Sequence, residues 1–419
     1  MSTRIHFVRR QRRRTHLSSI IDAFSDTRTV LLLLLVLLCF PSVSWQQTAL
    51  GERALQELDA SQIASLISSP DPSRNVDPKN PNSHLSKILI PRVADTENNT
   101  IVKNYIVSTL KALKWHIEED AFTDNTPYGM KKFTNIIATK DPDAPRRIIL
   151  AAHFDSKYFS GYPMNQFVGA TDSAAPCAML LDLAETIDPL LERRKEKLAL
   201  GMIDDEDVSD TTLQLVFFDG EEAFKEWTDT DSVYGARHLA HKWSTTYLTP
   251  HPKRRLRPSA TELTTIEHLV LLDLLGSANP SIQSYFIDTA WLFDAMVSAE
   301  KRIASAGAFK MSSSADDKWR SFFRPRTGRE DNYGFIGDDH TPFLNLGVSV
   351  LHIIANPFPH VWHTLQDDAS ALDLETMKRW NMIMRVFISD YLGLEPNVKS
   401  QTVSRSAGEL VSYLLSLEH

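Results

Sequence analysis

The chain has 419 residues, of which 42% are hydrophobic and 23% are charged, and its formal net charge is −8 at pH 7. This composition is ordinary for a soluble globular protein, and a net negative charge without a broad basic face argues against a nucleic-acid-binding protein. The length fits either two domains or one large α/β domain with extensions.

The first 45 residues differ from the rest of the chain. A basic segment (1–28) precedes an uncharged apolar segment (29–45) with the sequence TVLLLLLVLLCFPSVSW. At about 1.5 Å per residue in a helix, the apolar segment approaches the thickness of the hydrocarbon core of a bilayer. Two interpretations stay open: a signal-anchor with residues 1–28 in the cytoplasm, or a signal peptide that is cleaved after the small residues 42–44.

We favour the signal-anchor because the basic extension is long for a cleaved signal peptide. The expectation is therefore a single-pass type II membrane protein of the Golgi or the endoplasmic reticulum, with secretion after cleavage as the alternative. In either case the catalytic part enters the lumen of the secretory pathway. There the sequon that begins at Asn98 is a candidate glycosylation site.

A regular alternation of strands and helices is predicted after an N-terminal helix and linker (46–95). A helix is expected from about Thr96 to Trp115. The predicted strands are 133–139, 147–153, 213–220, 268–276 and 348–354. The predicted later helices are 173–187, 232–243, 291–307 and 374–393. Continuous apolar strands between helices favour a mixed, mostly parallel sheet that is covered on both faces, hence a single three-layer α/β/α sandwich (96–395) followed by a tail (396–419).

Acidic and imidazole side chains follow the ends of the predicted strands. They are His153, Asp155, Asp172, Glu221, Glu222, Asp273, Asp338, Asp339, His340 and His363. A single carboxylate at a strand end is usually a helix cap or a solvated loop residue, but ligand sites of open α/β sheets gather at this edge. Nitrogen and oxygen ligands without a thiolate are typical of a catalytic Zn²⁺ site.

Cysteine usage fits this interpretation, because Cys39 lies in the apolar segment and Cys177 lies far along the chain. The two residues cannot pair across a membrane, so no intramolecular disulfide is expected. A lone Cys177 is interpreted as a small buried residue and not as a nucleophile.

Six segments of the chain resemble the animal-type glutaminyl cyclases, which are glutaminyl-peptide cyclotransferases built on the zinc-aminopeptidase (M28-like) α/β fold. The segments are HFDSK (153–157), FVGATDSAAPCAMLL (167–181), LVFFDGEEAFKEWTDTDSVYGARHLA (215–240), LLDLLGSANP (271–280), DDHTPFLNLGVSVLHII (338–354) and PFPHVWHTLQDDASALD (357–373). The resemblance runs from about Ala94 to Leu394, and its motifs are long and specific.

The resemblance implies one zinc ion per chain, held by Asp172, Glu222 and His363, with the fourth position left for water or substrate. It assigns Glu221 the role of general acid and base. The implied substrates are peptides and proteins with an N-terminal glutamine, with N-terminal glutamate as a further candidate, and the expected enzyme is a monomer.

The resemblance also assigns residues around the base. Asp273 and Asp338 match the acidic pair that lies behind it in a hydrogen-bond network. Trp227, Phe358 and Trp362 match the aromatic residues that wall the substrate pocket.

Three positions depart from the family pattern. Ala152 stands where the family has a cysteine that pairs with the equivalent of Cys177, so the usual disulfide is absent. Gly337 stands where relatives often carry a larger polar residue near the substrate. The stretch 193–210 looks extended.

The strongest alternative is an M28-type zinc aminopeptidase, which binds two metal ions. Its five ligands could be supplied by residues of this chain, namely His153, Asp172, Glu222, Asp273 and His363. The ligand set therefore does not separate the two activities, and whether a second metal binds at His153 and Asp273 stays open. The aromatic residues favour the cyclase. A third interpretation is an inactive ectodomain that binds a partner, and the complete set of motif positions argues against it.

Overall fold

The structure is a computed structural model that describes residues 52–203, 206–249, 260–309, 319–330 and 334–396. All of these residues belong to one compact unit that spans residues 50–419. In the described part of the chain, no helix combines the length and the apolar character needed to cross a bilayer. The predicted signal-anchor (29–45) lies outside the described residues, as does the tail beyond Pro396.

A six-stranded sheet organises the fold. Its strands are β1 (His116–Thr126), β2 (Gly129–Thr139), β3 (Arg146–His153), β4 (Thr211–Phe218), β5 (Ile266–Asp273) and β6 (Val350–Ile354), in the order β1-β2-β4-β3-β5-β6. β3 pairs in parallel with β4 and β5, and β5 pairs in parallel with β6. The β1–β2 and β2–β4 pairs are antiparallel. The predicted mixed, mostly parallel sheet is thus confirmed.

Side chains of the central strands alternate between two apolar cores. Ile148 and Leu150 of β3 point into the larger core, and Ile149 and Ala151 point into the smaller one. This alternation follows from the period of two along a strand. Since both faces are covered, β4 is buried at all of its positions, and its second half, LVFF (215–218), is a continuous apolar run.

Helices cover both faces of this sheet and complete the three layers. They are α1 (Ala60–Ser68), α2 (His84–Ile88), α3 (Glu97–Ala112), α4 (Ala175–Ala199), α5 (Glu206–Ser209), α6 (Tyr234–Thr245), α7 (Ala290–Ser305), α8 (Thr341–Leu344) and α9 (Leu374–Leu392). The larger core contains residues of α3, α4, α7 and α9, whereas the smaller core contains Leu239 and Trp243 of α6. The sheet therefore lies between two helical layers.

Strand β1 is absent from the sequence prediction. Its sequence, HIEEDAFTDNT, is polar, and most of its side chains are exposed or half-buried. It lies at the edge of the sheet and pairs with β2 along its whole length. Because an edge strand buries little apolar surface, its apolar pattern is too weak to reveal it.

A buried ion pair connects α4 and α9 to the N-terminal linker. The guanidinium of Arg385 donates to both carboxylate oxygens of Asp182, over 2.8 Å to Oδ2 and 3.0 Å to Oδ1. It also donates to the carbonyl oxygen of Pro70 over 2.8 Å. Both partners of the pair are 0% exposed.

We expect Arg385→Met to lower the free energy of unfolding by about 3–5 kcal/mol, because it leaves the Asp182 carboxylate buried without its cation. Chemical denaturation followed by circular dichroism measures this change. The matched control is Arg326→Met, which removes an exposed ion pair with Asp294 and should cost at most about 1 kcal/mol. Equal losses in the two variants would contradict the prediction.

Candidate metal centre and active-site cavity

The carboxyl ends of the parallel strands meet around one cavity of about 430 Å³. β4 ends at Phe218, just before Glu221 and Glu222, and β5 ends at Asp273. All nine residues to which the sequence analysis assigned roles line this cavity: Asp172, Glu221, Glu222, Trp227, Asp273, Asp338, Phe358, Trp362 and His363. The structure therefore brings together residues from five separate segments of the chain.

Three of these residues form a candidate metal centre. Nε2 of His363 lies 3.4 Å from Oδ2 of Asp172 and 3.4 Å from Oε1 of Glu222. These two carboxylate oxygens are buried and have no hydrogen-bond partner among the described residues. Such orphaned anionic oxygens are costly unless a cation compensates them.

The spacing of the three atoms fits a metal ion. With zinc–ligand distances of about 2.0–2.1 Å, neighbouring ligands of a tetrahedral site lie about 3.3 Å apart. The two distances of 3.4 Å to Nε2 of His363 agree with that value. The donor set, two carboxylates and one imidazole, is also typical of a catalytic zinc site.

Local backbone geometry holds the candidate ligands. Asp172 lies in the turn 168–172. This turn overlaps a π-helical segment (Ala170–Ala174) that immediately precedes α4, and the backbone of Asp172 is itself not helical. Gly169 in this turn has a φ of +53°, and a Cβ atom there would lie 2.1 Å from the carbonyl oxygen of Asp172. Only glycine fits, because the approach is too close for any side chain. His363 has a φ of 57°, a strained conformation that is enriched at functional sites.

Electrostatics accounts for the ionisation of the candidate ligands. Burial lowers the pKa of His363, but the carboxylates of Asp172 and Glu222 outweigh it and raise this pKa to about 9. Burial raises the pKa of Asp172, but the hydrogen bond from His153 and the nearby charge of His363 hold it below its usual range. The two carboxylates therefore favour a positive charge between them.

Glu221 and Glu222 are adjacent but have different surroundings. The backbone N–H groups of both residues donate to Asp155, over 3.1 Å from Glu221 and 3.3 Å from Glu222. Oε2 of Glu222 accepts from Nζ of Lys157 over 3.2 Å. Burial raises the pKa of Glu221 well above its ordinary value, and the charges of Asp338 and Glu222 raise it further against the opposing effect of His153.

The pKa values of the acidic pair behind Glu221, Asp273 and Asp338, are shifted in opposite directions. Burial and the nearby Asp338 raise the pKa of Asp273 to about 6. Burial also raises the pKa of Asp338, but the 2.8 Å hydrogen bond with His352, the charges of His352 and His340 and the N–H of Asp339 together lower it below the usual range. One carboxyl can therefore carry a proton near neutral pH while the other stays ionised.

Several residues of the site were missed in the sequence analysis. His352 lies in the middle of β6, and a polar residue within the buried run VLHII is a signal that could have revealed it. Asp367 accepts the N–H of Thr171 over 2.8 Å, and its carbonyl oxygen accepts the N–H of Ala170 over 2.9 Å. No pattern in the sequence indicates that partner, because almost two hundred residues separate Asp367 from the turn.

A second group of potential ligands is hydrogen-bonded internally. Nε2 of His153 lies 3.0 Å from Oδ1 of Asp172 and 3.4 Å from Oδ1 of Asp273. The same oxygen of Asp273 accepts hydrogen bonds from the Ser173 hydroxyl and from the N–H of Leu274. These contacts give a partner to the three atoms that could face an ion, in contrast to the orphaned oxygens around His363, although Nδ1 of His153 has no partner among the described residues.

Aromatic side chains wall the cavity. Trp362 lies edge-to-face on Phe358, with ring centroids 5.0 Å apart, and stacks on His363 at 3.8 Å. Trp227 is 49% exposed and Trp362 is 40% exposed, so both rings remain accessible at the mouth. A Cβ atom at Gly337 would have Nε1 of Trp227 as its nearest neighbour, at 3.8 Å, which leaves space on this side of the cavity.

The cysteine prediction concerns Cys177, since Cys39 lies outside the described residues. Cys177 is a free, buried cysteine whose thiol donates to the carbonyl oxygen of His153. Burial raises the pKa of this thiol to about 12. It is therefore an inert core residue beside Ala152.

Comparisons with known proteins agree with the site. Residues 135–388 match the model of Peptidase family M28. A glutaminyl-peptide cyclotransferase of Bos taurus is 42% identical over 318 residues, which cover 74% of this chain and 81% of the relative. A glutaminyl-peptide cyclotransferase of Drosophila melanogaster is 42% identical over 309 residues, which cover 74% of this chain and 79% of the relative.

Solved structures give the same result. The crystal structure of a Macrostomum lignano glutaminyl cyclase matches with a TM-score of 0.67 and 37% identity, over 83% of this chain and 97% of that one. A Zn-dependent exopeptidase from Parabacteroides distasonis, at 19% identity and a TM-score of 0.52, shares the fold. Within Peptidase family M28, this chain belongs to the family of glutaminyl-peptide cyclotransferases.

Proposed function

We propose that this glutaminyl-peptide cyclotransferase uses one zinc ion, held by Asp172, Glu222 and His363, to convert the N-terminal glutamine of peptides and proteins to pyroglutamate. The single observation that carries the metal proposal is the pair of orphaned carboxylate oxygens, each 3.4 Å from Nε2 of His363. Peptides with N-terminal glutamine are the expected partners, because the relatives are named glutaminyl-peptide cyclotransferases. N-terminal glutamate is a further candidate.

The reaction is intramolecular. The α-amine of the glutamine attacks the carbon of its own side-chain amide, a new C–N bond closes the five-membered ring, and the bond to the amide nitrogen breaks to release ammonia. When bound, zinc supplies Lewis-acid polarisation of the amide carbonyl. The protein must therefore fold the substrate into its closing geometry and move one proton.

Glu221 is the proposed proton carrier. It lines the cavity beside the candidate metal centre, and its carboxylate would take a proton from the attacking amine and return it to the leaving nitrogen. Its raised pKa, which burial and the charges of Asp338 and Glu222 produce, suits a group that binds a proton and releases it during the reaction. Asp273 and Asp338 would support this role by their electrostatic field.

The aromatic walls have the proposed role of binding the glutamine side chain. Trp227, Phe358 and Trp362 line the cavity of about 430 Å³ together with the acidic residues. Burial against these rings would exclude water from the reacting amide and favour its closed conformation.

The aminopeptidase alternative is less well supported. It requires a second metal at His153, Asp172 and Asp273, whose ligand atoms instead satisfy one another and Ser173. The relatives that are about 40% identical are named cyclotransferases. We therefore propose one metal ion per chain.

The predicted location is also part of the proposal. Residues 29–45 would anchor the protein in the Golgi or endoplasmic reticulum membrane, with the catalytic domain in the lumen as a monomer. The uncharged apolar character of this segment after the basic residues 1–28 supports this orientation. Nδ2 of Asn98, the atom to which a glycan would be attached, donates to the carbonyl oxygen of Pro91 over 2.8 Å, so a glycan there would have to replace the other hydrogen of Nδ2 to keep that bond.

Incubation of the purified lumenal part with a peptide that begins with glutamine should release ammonia and leave the rest of the peptide intact. Mass spectrometry and an ammonia assay measure the two products. In parallel, a fluorogenic aminoacyl substrate should remain uncleaved. Release of a free amino acid without loss of ammonia would overturn the cyclase assignment in favour of the peptidase.

We expect Glu221→Gln to lower kcat by a factor of about 10²–10⁴ and to keep the metal, because it removes the proton carrier but no ligand. Glu222→Gln should lose the metal, because it removes one of the two anionic ligands. Zinc content after gel filtration and turnover of a Gln-peptide measure both effects. Equal loss of metal in the two variants would contradict this division of roles.

Alkaline carbonate extraction of cell membranes should leave the full chain in the pellet, because a helix that spans the bilayer resists such extraction. A variant that lacks residues 1–45 but carries a cleavable signal peptide is the matched control and should appear in the supernatant. Recovery of the full chain in the supernatant would favour the cleaved-signal alternative.

A further inference from the structure

Arg92 is a fully buried arginine near the candidate metal centre. It is neither a candidate ligand nor the proposed proton carrier. Its side chain is 0% exposed, and it forms no ion pair with the carboxylates of the described residues. Its guanidinium donates instead to backbone carbonyl oxygens. These belong to Ile90, Phe154, Val168, Gly169 and Asp172.

Four of the five carbonyl groups that Arg92 binds belong to two segments of the site. Nε donates over 2.6 Å to Phe154, which lies between His153 and Asp155. Nη2 donates over 3.1 Å to Gly169 and over 3.4 Å to Asp172, a candidate metal ligand. One guanidinium therefore spans the end of β3 and the turn 168–172.

The turn needs such a donor because its backbone is not helical. Asp172 has φ −118° and ψ 79°, and Ser173 has φ −120° and ψ 45°. Carbonyl groups in this geometry lack the regular partners of an α-helix, and buried carbonyl groups require donors. Arginine is suited to this task because its donors form a rigid planar fork, whereas lysine offers one nitrogen atom.

The opposite side of the turn is held by Asp367, which binds the N–H groups of Ala170 and Thr171. Arg92 donates hydrogen bonds to the carbonyl groups of the turn, and Asp367 accepts hydrogen bonds from its N–H groups. The positive charge of Arg92 also acts favourably on Asp155, Asp172 and Asp367. The turn that presents Asp172 is therefore fixed from both sides.

We infer that Arg92 is a positioning residue of the metal centre: it fixes the turn 168–172 so that Asp172 meets Glu222 and His363 at ligand distance. The inference rests on the proposed metal centre. Arg92 precedes the residues that match Peptidase family M28, which begin at residue 135. The N-terminal linker thus contributes to the centre although it supplies none of the candidate ligands.

The test compares Arg92→Lys with the wild type in the folded full-length protein. We expect zinc affinity to fall by about 10- to 100-fold, the range found when groups that orient metal ligands are removed. Competition with a chromophoric chelator measures the affinity. The visible absorption spectrum of the Co²⁺-loaded protein should also change, because the position of Asp172 relative to the ion changes.

The matched control is Arg194→Lys. Arg194 is likewise a buried arginine that donates to backbone carbonyl groups, those of Val208 and Thr211, but it lies outside the active-site cavity. This variant should lower the melting temperature without changing zinc affinity or the Co²⁺ spectrum. The comparison separates a loss of packing from a loss of ligand geometry.

If Arg92→Lys does not fold, the zinc affinity of Ser156→Ala tests the inference instead. The Ser156 hydroxyl accepts the backbone N–H of Arg92 over 2.9 Å, so its removal loosens the position of Arg92. Weaker zinc binding in this variant would support the inference. If Arg92→Lys folds and keeps the zinc affinity of the wild type, the inference is overturned. If Arg92→Lys does not fold, wild-type zinc affinity in Ser156→Ala overturns it. If the wild type itself binds no zinc, the proposed metal centre fails, and this result is distinct from a failure of the Arg92 inference alone.

Discussion

The structure depends on the compensation of many carboxylates that are buried at one edge of a parallel sheet. Asp155, Asp172, Glu221, Glu222, Asp273, Asp338, Asp339 and Asp367 are all buried there. Burial of an anion is costly unless a cation or a hydrogen-bond donor compensates it. Lys157, His153 and His352 each contact one or more of these groups. Oxygens of Asp339 and Asp367 also lack a partner among the described residues. The proposed metal belongs between Oδ2 of Asp172 and Oε1 of Glu222 because these two orphaned oxygens both lie 3.4 Å from Nε2 of His363.

The same constraint divides chemically similar residues into different roles. Asp273 and Asp338 are both buried, but the bond to His352 holds Asp338 ionised while repulsion helps to raise the pKa of Asp273 to about 6. Glu221 and Glu222 differ in their contacts, since Lys157 contacts only Glu222, and burial raises the pKa of Glu221. Neighbouring donors therefore select which carboxyl stays charged and which can exchange a proton.

The fold and the activity are determined at different places in the molecule. The fold is shared with a Zn-dependent exopeptidase, so the sheet provides a platform and does not by itself specify a reaction. Two features favour the proposed cyclase reaction over that of a two-metal aminopeptidase. One is the aromatic wall of Trp227, Phe358 and Trp362, and the other is the hydrogen bond from Ser173 to Asp273 within the second group of potential ligands. Both lie around the proposed ligands and not among them.

The sequence by itself determined the strands that are apolar throughout, because continuous burial leaves a continuous apolar run, and it determined the polar residues that follow their ends. The nine residues assigned from these positions and from the family resemblance line one cavity, although their individual roles remain proposals. The polar edge strand β1 was not predictable, because it buries too little apolar surface. The contacts of Arg92, His352 and Asp367 in the site are apparent only from the tertiary structure. Their partners are distant in sequence, and hydrogen bonds between distant segments leave no local periodicity by which a sequence can reveal them.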